Sequence, residues 1–327
     1  MADTSKAHNV KVNGGRQAMN LPKLVEHYGS EDRCRAYLEV LRWPEGVRCP
    51  QCGSTSISRI KTRNQYDCNG CRNRFSVKSG TVFHDSHLPL WKWFLATYLI
   101  TESRKGISAN QLKRTLGVGS YKTAWYLCHR IRSAMVEALV VPLSGVVEAD
   151  ETFIGGKKRV KDKAAFGSRT RQEAALRRMD NKTVVLGAIE RGGKLRVRVA
   201  PDTGQKTIHG FLREHVDGAD VLYTDSMRSY RHLDPDTAGR HEFVDHSAEE
   251  WVRGDVHTNT IESAWSLFDR AVIGAYHKLS KKHLPAYLQE FEFRFNNREN
   301  PFLFRDTLIA LVRGATLPYA ELVADTP

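Results

Sequence analysis

Three observations predict an α/β multidomain chain. Two Cys-x-x-Cys pairs, Cys49/Cys52 and Cys68/Cys71, stand fifteen residues apart; two helical segments meet at Gly117-Val-Gly119; and from Gly145 onward strand-like runs alternate with helical stretches. The first is the spacing of a zinc ribbon, the second that of a helix-turn-helix, and the third that of a mixed sheet with helices on its faces. The expected division is a flexible tail over residues 1–20, an N-terminal helix over 21–45, a zinc ribbon over 46–84 and a helical domain with the helix-turn-helix over 88–140. A mixed-sheet domain over 141–300 and a C-terminal helix over 301–327 complete it.

The 327 residues are 41% apolar, enough for each larger unit to bury a core and too much for a disordered regulator. Fifty Lys and Arg oppose 37 acids, a formal net charge of +13. Such an excess usually serves attraction to a polyphosphate through counterion release, the alternative being a merely soluble basic surface. No run of 18 uncharged apolar residues occurs, and Met1-Ala-Asp-Thr-Ser-Lys6 lacks the charged-then-apolar order of an export signal. The protein is therefore expected in the cytoplasm, with no membrane partner. Six cysteines, four of them between positions 49 and 71, are too few and too unevenly spread for a disulfide scaffold. Cys34 and Cys128 fall in helix-like apolar patterns and read as small buried thiols.

Residues 1–20 are polar and without period. From Asp32 to Trp43, Ala36, Tyr37, Val40 and Leu41 recur at helical spacing, and Pro44-Glu-Gly46 stops the helix. Each cysteine pair then offers two thiolates to one tetrahedral cation, and Ile57 to Tyr66 is the right length for strands that bring the pairs together. Redox use would need only one pair, so one structural Zn²⁺ is expected, supplying folding energy to a module too small to hold itself together. Phe75 to Phe83 reads as a closing hairpin. Leu90 to Leu99 reads as a helix whose Trp91, Trp93, Phe94 and Tyr98 serve core packing.

Ser108-Ala-Asn-Gln111 has the form of a capping box and starts a helix through Leu112 and Leu116. After the glycine turn, Ser120 is the N-cap of a second helix in which Ala124, Cys128, Ile131 and Met135 line one face. Its polar face carries Lys122, Thr123, Tyr126, His129, Arg130 and Arg132, a set suited to phosphates and base edges. The alternative is a plain helical spacer.

Val146 to Ile154, Thr183 to Glu190, Leu195 to Ala200 and Ala219 to Thr224 are strand-like, and Lys206 to Val216 is helical. Lys157, Lys158 and Arg159 open a stretch through Lys182 with ten Lys or Arg. It reads as an arm over a substrate groove, or else as a solvated loop. Asp150 and Asp225 each end an apolar run, and Glu262 follows in the helical stretch Asn259 to Phe268. Phosphodiester cleavage needs an activated water and charge relief on the scissile phosphate, which two Mg²⁺ ions roughly 3.5–4 Å apart supply. Asp150 would bridge such a pair, with Asp225 on one ion and Glu262 on the other.

Several stretches, in this order, resemble the zinc-ribbon branch of the RNase H-like DDE transposases of insertion sequences, the insertion-sequence 1595 family. They are Leu41-Arg-Trp-Pro-Glu-Gly46 with the first cysteine pair, Tyr66 to Phe83, Val147-Glu-Ala-Asp150-Glu-Thr-Phe-Ile-Gly-Gly-Lys157, Thr224-Asp225-Ser226, His257-Thr-Asn259-Thr-Ile-Glu262-Ser-Ala-Trp265, and Tyr287 to Arg298. The resemblance implies an RNase H-like catalytic domain that binds terminal inverted repeats, cuts DNA at the element's ends and joins the freed 3′-hydroxyls to target DNA, using two Mg²⁺ or Mn²⁺ ions. Asp150 and Asp225 fall on the family's first two acids. Its third position is asparagine or glutamate in this branch; Asn259 and Glu262 lie three residues apart on one helical face, and Glu262 is preferred because a carboxylate better neutralises a second cation. Where the family often has a basic residue seven places further on, this chain has Asp269 followed by Arg270. Arg270 and Lys278 are accordingly expected only as phosphate contacts. His257, His277 and His283 are read as phosphate donors, since metal-bound water needs no histidine base.

The resemblance implies double-stranded DNA as partner, both as inverted repeats and as target, hence a nucleoid association. Two element ends must meet, so a homodimer or higher multimer on DNA is expected. Two rivals stand beside this reading: an RNase H-like nuclease or resolvase that cuts without joining, and a DNA-binding regulator with a dead site, which the presence of all three acids disfavours.

Overall fold

The computed structural model describes residues 18–137, 139–155 and 182–324. Two helices, where one was expected, precede the ribbon: α1 (Leu21–Tyr28) and α2 (Glu31–Arg42). The Asn20 side chain accepts from the Lys23 N–H and that of Ser30 from the Arg33 N–H, so each helix has its own start signal and the chain breaks between them.

The ribbon is a three-stranded antiparallel sheet of β1 (Ile57–Ile60), β2 (Gln65–Cys68) and β3 (Arg74–Phe75). Its small core is the Trp43, Tyr66 and Phe75 rings, with centroids 5.6–5.9 Å apart. The hairpin expected to Phe83 ends at Phe75. Beyond it the Ser76 N–H donates to Ser79 Oγ, the Thr81 hydroxyl donates to the Lys78 carbonyl, and Gly80 takes φ +72°. Hydroxyls bonding to their own backbone offer turns in place of a ladder.

Next come α3 (Leu90–Glu102), α4 (Ala109–Leu116) and α5 (Tyr121–Ala134). Ser108 Oγ accepts from the Gln111 N–H at 3.0 Å, as the capping pattern requires, and Gly117 ends α4 in the left-handed region at φ +59°. Ser120 stands at the N-cap of α5, but its side chain makes no capping bond.

The second body is built from β4 (Leu143–Ile154), β5 (Thr183–Glu190), β6 (Leu195–Ala200), α6 (Gln205–His215), β7 (Val216–Asp225), β8 (His241–Val244), α7 (Asn259–Ala271) and α8 (Leu284–Asn296). The sheet order is β6-β5-β4-β7-β8. β4, β5 and β6 pair antiparallel, while β7 lies parallel to β4 and β8 parallel to β7. This is the RNase H-like arrangement, with β4 in the middle. Val147 and Ala149 pack with Ile208, Phe211 and Leu212 of α6 on one face. On the other, Ile154 and Val185 pack with Ile261, Trp265 and Phe268 of α7 and Phe291 of α8. Side-chain alternation along β4 therefore turns Glu148 and Asp150 toward the α7 side.

Two helices again replace one at the C-terminal side, α9 (Leu303–Arg313) and α10 (Tyr319–Val323), because Gly314 and Pro318 interrupt the run. Leu308 and Leu311 of α9 share one core with Leu38, Phe83, Trp93 and Ile131, so this segment closes the N-terminal helical body. Cys34 and Cys128 are buried in that core.

Candidate active site

The pairing of β4 with β7 ends at Glu148 opposite Tyr223, and beyond it Asp225 closes β7, while Asp150, expected at a strand end, lies with Glu151 inside β4, which runs on beside β5 to Ile154. One carboxylate oxygen from each lies within 4.8 Å of the others. Burial first, then the charges of Glu151 and Asp225, pushes Asp150 up to about 7. Burial and the Asp225 charge likewise push Glu151 up to about 7. Their hydrogen-bond partners are neutral: Trp265 Nε1 donates to Asp150 Oδ2 at 3.1 Å, the Tyr230 hydroxyl to Glu151 Oε2 at 3.1 Å, and the Met227 N–H to Asp225 Oδ1 at 3.0 Å. Crowded carboxylates whose repulsion no cationic side chain relieves among the described residues form a hard-oxygen donor set, and that set fits a divalent cation such as Mg²⁺ or Mn²⁺.

Helix α7 brings the third candidates to this edge. Asn259 and Glu262 are both exposed on its first turn. Glu262 is not one of the three acids in that close group; its charge nevertheless acts on Asp150, and its Oε1 accepts from the Thr258 hydroxyl at 3.0 Å. Two contacts hold the helix there. The fully buried Glu148 carboxylate accepts from the Thr260 N–H at 2.7 Å, the Ile261 N–H at 3.0 Å and Arg191 Nε at 2.6 Å, so a strand residue caps the helix. Further along, Gly187 lies opposite Asp150 in the β4–β5 register, and a Cβ at that position would collide with the Trp265 indole. The missing side chain lets the indole lie against the sheet and aim its N–H at Asp150. Glu148, Glu151 and Gly187 were not singled out in the sequence, although an acid two places before Asp150 in an apolar strand was a signal for Glu148.

Separately, the four ribbon cysteines gather with all their sulfurs within 4.8 Å of one another. Cys49 and Cys71 Sγ are 3.6 Å apart, and Cys52 and Cys68 Sγ 3.5 Å apart. A tetrahedron with Zn–S bonds of about 2.3 Å has edges of about 3.8 Å, so the donor set fits zinc.

Comparison with known proteins gives the fold a lineage. Residues 142–296 match the ISXO2-like transposase domain, and residues 29–74 match a transposase zinc-ribbon domain. An uncharacterized protein in transposable element ISH50 of Halobacterium salinarum is 34% identical over 278 residues, covering 83% of this chain and 92% of the relative. The chain belongs to the IS1595 family of DDE transposases. An uncharacterized transposase-like protein of Haemophilus influenzae is also similar, 32% identical over 101 residues, or 31% of the transposase chain and 80% of that protein.

The residues expected to touch DNA fare unequally in the transposase. Lys157, Lys158 and Arg159 lie outside the described residues. Arg130 is buried and donates to the Val82 and His84 carbonyls, so it is not on a DNA-facing surface. Tyr126 donates its hydroxyl to the Leu317 carbonyl, and Lys122 Nζ sits 4.1 Å from the centroid of the Tyr319 ring. The polar face of α5 is thus largely covered: α8 supplies Glu290 to Arg132 at 2.5 Å, and the segment leading into α10 lies over Tyr126. Lys122 and Tyr121 remain exposed, and Thr123 is half-buried. Arg270 and Lys278 are exposed, with Arg270 also donating to Ser266 Oγ. Among the histidines, His257 is tied to Arg191 at 2.9 Å near Glu148. Within the described residues no helix is long and apolar enough to cross a membrane.

Proposed function

We propose that this transposase cleaves DNA at the ends of its insertion sequence and joins the 3′ ends to target DNA with the help of two divalent cations. The gathering of Asp150, Glu151 and Asp225 oxygens within 4.8 Å carries the reading. The cations, when bound, supply an activated water and neutralise charge on the scissile phosphate. Asp150 holds one oxygen toward Trp265 and leaves the other for metal. Asp225 is the second ligand and Glu262 the third, with Asn259 the alternative; Glu262's exposure at the start of α7 leaves its side chain room to turn inward. Lys122, Thr123, Arg270 and Lys278, together with Lys157, Lys158 and Arg159, are the proposed phosphate contacts. One Zn²⁺ on Cys49, Cys52, Cys68 and Cys71 holds the ribbon. Pairing of two element ends calls for at least two copies on DNA, and the work is placed at the nucleoid.

Purified protein with Mg²⁺ or Mn²⁺ and oligonucleotides of the flanking inverted repeats should give strand-transfer products, and Asp150→Asn should abolish them while duplex binding persists. Cleavage without joined products would assign a nuclease. Binding with no cleavage by the unsubstituted protein would assign a regulator.

A further inference from the structure

A cavity of about 450 Å³ opens between the first turns of α4 and α5 and the segment that follows α7. Its volume falls among small-ligand pockets of roughly 300–1,000 Å³. Tyr121, Trp125, His283 and Tyr287 give it aromatic walls, and Arg114 and Lys278 give it cationic edges. Among the described residues that line it there is no carboxylate. The rings are not part of the hydrophobic core: Trp125, His283 and Tyr287 are half-buried, and Tyr121 is 51% exposed.

His129 lies behind this wall, its ring centroid 4.4 Å from Trp125 and 5.0 Å from His283. It is only 1% exposed, and its Nε2 has no hydrogen-bond partner. His129 does not itself line the cavity; its ring backs Trp125 and His283 from the buried side.

We infer that this cavity receives a nucleobase turned out of duplex DNA, stacked on Trp125, with its flanking phosphate against Arg114 and Lys278. Every base has a π-face, so aromatic walls accept any of them, and cations with no carboxylate among the described lining residues match the phosphate. The position is apt, because the first turn of α5 is the part of that helix left exposed, and the opposite wall is the chain that runs on from the candidate active-site helix. The inference rests on the DNA-binding reading above.

The test uses binding alone, with no catalytic metal. The probes are two duplexes of equal length, one fully paired and one carrying a single extrahelical 2-aminopurine. The unsubstituted protein should bind the second about fivefold or more tightly, the lower end of what one stacked base contributes, and should quench the probe's fluorescence. Trp125→Ala should remove both effects and leave paired-duplex affinity within about twofold, while Trp125→Phe should keep the preference. Arg114→Gln, at the rim, should weaken the preference without altering zinc content or melting temperature, which guards against a fold defect in Trp125→Ala. Equal affinity of the unsubstituted protein for the two duplexes overturns this inference and spares the proposed function; binding to neither overturns both. A preference that survives Trp125→Ala, or displacement of the quench by free deoxynucleoside monophosphate at equimolar concentration, also overturns it, the latter in favour of a free-nucleotide site.

Discussion

Trp265 reaches Asp150 only because position 187, its cross-strand neighbour, is glycine. The indole N–H fixes one carboxylate oxygen, so Trp265→Phe keeps the packing and loses the orientation. Strand transfer should fall about tenfold, in line with the loss of one hydrogen bond to a charged group, and the Mn²⁺ concentration for half-maximal rate should rise. The melting temperature should hold; if it collapses with the rate, the indole acts through packing instead. His129 gives a pH dependence. Burial first, then the Arg132 and His283 charges, pulls it down to about 3, against 6.5 for the free side chain. Between those values the unfolded chain binds the extra proton, so stability falls as pH drops through that window. Denaturant titrations across it should show a shallower slope for His129→Phe than for the unsubstituted protein. The two leading acids were legible because each closes an apolar run. Trp265's bond was not, since it depends on a residue absent in effect from a strand 78 positions earlier, and Glu151 was overshadowed by its neighbour Asp150.

At the scale of elements, α7 is docked by a charge from the middle of the sheet. Glu148→Gln removes that charge, leaves Arg191 without its ion pair and weakens the cap, which should cost about 3 kcal/mol in a urea titration and lower strand-transfer activity with it. An unchanged midpoint would mean that α7 is held by its apolar face alone. The long strands were readable: Thr183–Glu190 and Leu195–Ala200 lie where their β-branched runs fall, and both neighbouring strands extend beyond the expected bounds. The short β8, His-Glu-Phe-Val, carries too little pattern to stand out. The polar face of α5 misled for a different reason. Periodicity separates polar from apolar positions, but it does not reveal that Glu290, 158 residues away, comes to meet Arg132, or that carbonyls come to meet Arg130. Arginines chosen for such burial look the same in sequence as arginines chosen for phosphate.

For the whole molecule, the zinc ribbon and the sheet should part company under chelation. The ribbon's aromatic core is three rings, so removing zinc should melt it while the sheet body, with apolar layers on both faces, persists. Circular dichroism and metal analysis should show one zinc per chain and a separate low-temperature transition after chelation; a single unchanged transition would make the metal dispensable. The two bodies are tied at Glu290, fully buried between Arg132 of α5, Arg294 of α8 and the Tyr276 hydroxyl. Leu308 and Leu311 sit in the core that Leu38 and Trp93 begin, so the helical body receives its last wall from a segment translated after every strand of the sheet. On the ribosome the sheet body can settle while the helical body still waits for that wall, and a product terminated before α9 would carry a sheet beside an unclosed helical core.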